Sequence, residues 1–209
     1  MSNIEIKKEK KSILNKIGGD KLILIAAIII VFALFTCLNK NFMTWANMVN
    51  LMVAASLVGL VAVGHTYLII AGQNDLSPGS LAAFCGTLAA LLLSKNVPFI
   101  LTIAVVLLAG VATGFFNAWM VNKIKLEAFI ATLVTQNIMR GFAYIICDGK
   151  PVSISNKAYL TIGKARFLTI PVSVWLMILA FVVFGFILAK TKFGRSVYAI
   201  GGSQEAARL

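Results

Sequence analysis

A chain of 209 residues that is 60% hydrophobic and only 12% charged, with a mean hydropathy of +0.93, excludes an ordinary soluble domain, in which roughly 25% of residues are charged. The net charge of +12 does not point to nucleic acid, because the charges lie in tails and loops between apolar runs and read as topology signals. Cys37, Cys85 and Cys147 are far apart and form no CxxC pair; this excludes a disulfide framework and a cysteine metal site, and all three read as small buried residues.

Residues 1–21 form a basic tail. An apolar run from Leu22 to Leu38 follows; it has no small-residue cleavage site and reads as a first span rather than a signal peptide. Further apolar runs cover Met48–Ala71, Pro78–Ser94, Val97–Val121, Ala128–Cys147 and Phe167–Ala189, with a loop of mixed polarity over Asp148–Arg166. A spanning helix needs roughly 20 mostly apolar residues. The chain is therefore expected to be an all-α integral membrane protein of about six transmembrane helices over residues 22–189. Residues 190–209 then form a loop that ends in the start of a helix. The bias of Lys and Arg puts the N-terminus and the C-terminal segment on the cytoplasmic side, although the outer loop after the fifth span is unusually basic. Gly110, Gly114 and Ala118, and likewise Ala82, Gly86 and Ala90, recur at four-residue spacing. Such faces let helix backbones approach closely.

Between the second and third runs lies the polar break GQNDLSPGS, Gly72–Ser80. Ser77 can cap a helix that starts at Pro78, and Gly72 and Gly79 permit tight backbone. If the break lies within the bilayer, its backbone groups need partners from protein or water, and Asp75 is a costly intramembrane charge. Asp75, Ser77 and Gly79, together with Arg140 further along, are then candidates for a transport pathway. The competing reading is a short cytoplasmic turn. Arg140 interrupts the fifth run and must face the bundle, pair or snorkel, with Asp75 and Asp148 as candidate partners. His65, the one histidine, reads as a hydrogen-bonded core residue ahead of a proton relay.

No HExxH, GxSxG or GxxxxGK[ST] motif is present, so the chain is not expected to be an enzyme. It would hold no cofactor itself, and any ATP and magnesium would sit on a separate ATPase. Lys190, Lys192 and Arg195 mark the end of the last span. Gly201 and Gly202 are expected to break the chain, Ser203 to cap a new helix, and Glu205 to favour its dipole. Gly201, Gly202, Ser203, Glu205, Ala206 and Ala207 are the candidates for gripping a soluble partner. The competing reading is an ordinary loop.

Three ordered motifs carry a family resemblance. VGHTYLIIAGQNDLSPGS (63–80), FIATLVTQNIMRG (129–141) and KFGRSVYAIGGSQEAARL (192–209) resemble the permease subunits of simple-sugar ABC importers, of the ribose, xylose and galactose type. The chain departs from the family at Gln73, Asn74 and Pro78, at Glu127 and Ala128 where a proline is usual, and at Ser203 and Gln204.

The resemblance implies a vitamin B12-permease-like bundle of about ten spans, of which about six are present here, so the chain is expected to be truncated at its C-terminal end. It implies a bacterial inner-membrane homodimer served by a cytoplasmic ATPase and an extracytoplasmic sugar-binding protein. Gly201–Leu209 would begin the coupling helix, and the loop Asp148–Arg166 would face the binding protein. Permeases for nucleosides, a signalling sugar or branched-chain amino acids are the rivals within the family. An ion-coupled secondary transporter using Asp75, His65 or Arg140 is the rival outside it.

Overall fold

A computed structural model describes residues 19–154, 156–203 and 207. The architecture is that of an all-α membrane protein. Its helices are α1 (Gly19–Leu38), α2 (Trp45–Ile70), α3 (Pro78–Ser94), α4 (Phe99–Trp119, prolonged by a π-helical turn Met120–Ile124), α5 (Ala128–Ile146), α6 (Lys157–Lys164), α7 (Val172–Lys190) and α8 (Lys192–Gly202). A two-stranded hairpin, β1 (Arg166–Phe167) and β2 (Ile170–Pro171), precedes α7. Among the described residues, α2, α4 with its π turn, α5 and α7 are long and apolar enough to cross a membrane, and α1 and α3 contribute shorter apolar stretches. All six apolar runs of the sequence are thus helical. The helices present large apolar side chains outward, among them Ile100, Phe115, Ile145 and Phe186, as lipid contact demands.

The chain divides into two units, 1–51 and 52–209. In the first, Phe42 packs against Phe32 and Phe35, with ring centroids 5.4 and 5.5 Å apart, and its carbonyl accepts a bond of 2.7 Å from Asn47 Nδ2. The second unit is built around α3, which packs on α5 and α4. Its close faces are Ser80, Ala89, Ala90 and Leu93 on α3 and Ala131, Thr132, Thr135 and Ala143 on α5. Of the two small-residue faces expected to pack, Ala90 is buried but the glycines make no close contact. Among the described residues, a Cβ built on Gly86, Gly110 or Gly114 meets nothing within 4 Å. Alanine and threonine, small enough for close approach and better helix formers than glycine, form the contact instead.

Helix ends follow their local chemistry. α2 stops in a Schellman motif: Gly72 takes φ +73°, its N–H bonds Ile69 O at 3.0 Å, and Gln73 N–H bonds Leu68 O at 2.8 Å. α3 ends the same way with Asn96 at φ 59°. The loop Asp148–Arg166 contains α6, capped by Asn156, whose Oδ1 accepts from Tyr159 N at 3.1 Å; Tyr159 also meets Phe99 of α4.

The largest departure from the sequence reading is α8. Helix resumes at Lys192, directly after α7, with Thr191 as N-cap accepting from Gly194 N at 3.3 Å. It runs as far as Gly201 and Gly202, which close it, and Ser203 after them is extended. Gly194, Val197 and Gly201 share one face, and a Cβ on Gly194 or Gly201 would overlap the carbonyl of Leu188 or of Ile70 respectively. Gly194 and Gly201 thus serve close approach, whereas Gly202 meets nothing within 4 Å and is the last residue of the helix. The cysteines also differ from expectation: Cys37 is exposed and Cys85 and Cys147 are half-buried; Cys85 faces α4, its Sγ 3.9 Å from the Val106 carbonyl, and Cys147 is the C-cap of α5.

Gly201→Ala is expected to lower the melting temperature of the detergent-purified protein by pushing α8 off α2. Gly86→Ala, in open space, is expected to be neutral or to stabilise by up to about 1 kcal/mol. Thermal unfolding of the two variants side by side checks both.

Candidate functional site

The polar break after α2 does not hang free. His65 Nε2 lies 2.8 Å from the carbonyl of Asp75. A carbonyl only accepts, so Nε2 carries the hydrogen. His65 precedes the end of α2 by five residues, about 7.5 Å of helix, so the chain doubles back along α2 before α3 begins. The amide of Leu76 donates to Thr132 Oγ1 on α5 at 3.2 Å. Thr132 Oγ1 in turn donates to Ala128 O at 2.8 Å. The turn therefore finds protein partners, the condition for irregular backbone at membrane depth.

Asp75 is the acceptor on which a run of hydrogen bonds converges. Its Oδ1 accepts from Ser77 N at 2.7 Å and from Ser77 Oγ at 2.6 Å, an Asx turn. Ser77 Oγ accepts from Asn117 Nδ2 of α4 at 3.4 Å. Asn117 Oδ1 accepts from Thr135 Oγ1 of α5 at 2.5 Å. Thr135 is 0% exposed, Ser77 1% and Asn117 9%, so every donor points one way, from α5 through α4 to the carboxylate, with water excluded from most of the path. Bonds aligned in this way polarise one another in a low-dielectric interior.

Ser77 is the N-cap of α3 by position, with Pro78 following at the first helical position, but its hydroxyl does not cap. Its backbone is helical (φ −77°, ψ −21°), not extended as in a capping serine, and its hydroxyl hydrogen goes to Asp75.

Beside this network opens a cleft of about 430 Å³ between the turn, α4 with its π turn, the start of α5, and Ile200 of α8. Gly201, the next residue of α8, sits on the Ile70 carbonyl at the end of α2. The turn is thus gripped from within by α4 and α5 and touched from outside by α8.

Of the residues singled out from sequence, Asp75 and Ser77 fall at the centre of the network. Gly79 is exposed in the first turn of α3 and takes no part. Arg140 is exposed on α5, off the buried stripe Ala131–Thr135–Ala143, and among the described residues it pairs with neither Asp75 nor Asp148. Gly201 and Gly202 end α8. Ser203 is extended (φ −162°, ψ 117°), and its carbonyl accepts from Ala207 N at 3.0 Å. Glu205 and Ala206 lie outside the described residues. Asn117, Thr132 and Thr135 were not anticipated. Their signal in the sequence is an amide inside an otherwise apolar run and two threonines three apart on the next.

Replacing Asp75 by Ala leaves the Ser77 amide and hydroxyl without their acceptor and is expected to cost roughly 1–3 kcal/mol. Asp75→Asn keeps an oxygen in place and is expected to cost much less. Melting temperatures in detergent distinguish the two.

Residues 47–209 match the family model described as the permease component of the branched-chain amino acid transport system. The chain is 38% identical over 187 residues to the ribose import permease protein RbsC of Haemophilus influenzae, covering 88% of this chain and 58% of that protein. It is 39% identical over 188 residues to the L-arabinose transport system permease protein AraH of Escherichia coli, covering 90% and 56%. It is 35% identical over 182 residues to RbsC of Bacillus subtilis, covering 86% and 56%. The chain therefore spans little more than half the length of these relatives. No solved structure matches it significantly.

Proposed function

The chain belongs to the family of permease components of the branched-chain amino acid transport system type, and from that premise we propose that it is a transmembrane subunit of an ATP-driven importer of a simple sugar. The relatives named for ribose and L-arabinose support a pentose-like substrate. The N-terminus and the segment 190–209 are read as cytoplasmic, from the Lys and Arg bias. A separate ATPase supplies ATP hydrolysis, an extracytoplasmic protein delivers the sugar, and a second copy completes the pathway. Residues 1–21, 22–189 and 190–209 act as tail, pathway and coupling segment.

The observation that carries this reading is the seat of α8. One face, Gly194, Val197 and Gly201, is pressed inward. Lys192, Phe193, Arg195 and Tyr198 remain exposed, a mixed basic and aromatic face suited to a protein surface. Beyond it the Ser203 carbonyl accepts from Ala207 N. A partner that grips Gly201, Gly202, Ser203, Glu205, Ala206 and Ala207 pushes directly on the end of α2, and hence on the turn that holds Asp75. The pathway thereby changes the side to which it opens. Nothing in this arrangement requires an ion to be moved. Family members that carry amino acids, nucleosides or signalling sugars share the same mechanics.

Copurification with the ATPase encoded beside the gene is expected in detergent, and replacement of Gly202 or Glu205 is expected to release it. Sugar uptake should persist in the presence of an uncoupler while ATP is maintained; collapse of uptake would transfer the reading to an ion-coupled transporter.

A further inference from the structure

The cleft beside Asp75 has a chemistry of its own. Its polar lining comes from Gln73, Asn74, Asp75, Asn117, Asn122 and Thr132, and aliphatic or glycine residues supply the rest. Its volume of about 430 Å³ lies within the roughly 300–1,000 Å³ of small-molecule sites. Asn117 and Thr132 are committed to the network. Among the described residues, the side chains of Gln73, Asn74 and Asn122 make no hydrogen bond, and both bonds to the Asp75 carboxylate fall on Oδ1, leaving Oδ2 free. Asn122 lies in the π turn that prolongs α4, an irregularity often found at functional sites.

We infer that this cleft is a binding subsite for an uncharged polyhydroxylated ligand of monosaccharide size. The inference rests on the sugar-import reading and deepens it, since the binding protein is no longer the only place where the substrate is recognised. Each amide offers both a donor and an acceptor, and Asp75 Oδ2 accepts. Hydroxyls, which donate and accept, satisfy such a set completely. An amino acid does not fit. Its ammonium group could meet Asp75, but no cationic side chain lines the cleft among the described residues, and its carboxylate would be left without a counter-charge beside a second carboxylate. A nucleoside fits poorly too, since no aromatic side chain lines the cleft to stack on a base.

The test uses the permease assembled with its ATPase in inside-out membrane vesicles, with Cys37, Cys85 and Cys147 replaced by serine. Asn122→Cys is the reporter, and Asn74→Cys is a second reporter should the first fail to assemble. The rate of modification by a membrane-impermeant maleimide is measured with D-ribose, L-arabinose or L-leucine. The expected result is a several-fold slowing by one of the pentoses and none by leucine. Unchanged rates in an importer that still takes up pentose overturn the subsite and leave the sugar-import reading standing. A reporter that reacts only after denaturation also overturns it, because the cleft is then closed in the assembly. Slowing by leucine, together with leucine uptake and no pentose uptake, overturns both.

Discussion

Buried backbone in an apolar bundle must find its hydrogen bonds within the protein, and the turn between α2 and α3 is where this chain meets that demand. The turn doubles back along α2, and three of its backbone groups find partners within the protein. His65, Thr132 and the Asp75 carboxylate take them up. Those three partners come from α2, α5 and the turn itself, and Asn117 and Thr135 extend the same chain of bonds into α4 and α5. The packing of α3 against α4 and α5 and the aim of Ser77 both follow from that requirement. So does the opening of the neighbouring cleft, because the side chains nearest the backbone are consumed in satisfying it.

Much of this was legible in the sequence, and the reasons differ from element to element. The six apolar runs announce their helices because lipid-facing segments are apolar all round and their length is set by the bilayer. Ser77–Pro78 announces the start of α3 because proline is preset for a first helical position. The polar break was readable as a site only conditionally, since nothing in Gly72–Ser80 says whether the chain turns outward or folds back. That is decided by His65 and Thr132, 10 and 57 positions from Asp75, acting across space. The hydroxyl of Ser77 was assigned to capping because serine before Pro is so often a cap; a carboxylate two residues upstream competes for the same hydrogen and wins it.

The C-terminal segment shows the opposite failure. KFGRSVYAIGG contains three glycines in eleven residues, which by propensity argues against helix. Two of those glycines sit where a side chain would collide with backbone, one on α7 and one on α2. Packing against the bundle outweighs the propensity cost, and Gly194 and Gly201, not the Gly201–Gly202 pair as such, are the points of attachment. What a side chain would meet, not local sequence or exposure, tells such glycines apart: Gly201 is as exposed as Gly86, yet a Cβ on it would meet the Ile70 carbonyl, while Gly86 faces open space.

His65 holds the turn to α2 through a hydrogen on Nε2 given to a carbonyl oxygen. The carbonyl it meets belongs to Asp75, the residue whose carboxylate also holds Ser77, so one residue is tied by its backbone to α2 and by its side chain to the start of α3. The two helices are thereby coupled through a single residue, and a displacement at the end of one loads the beginning of the other.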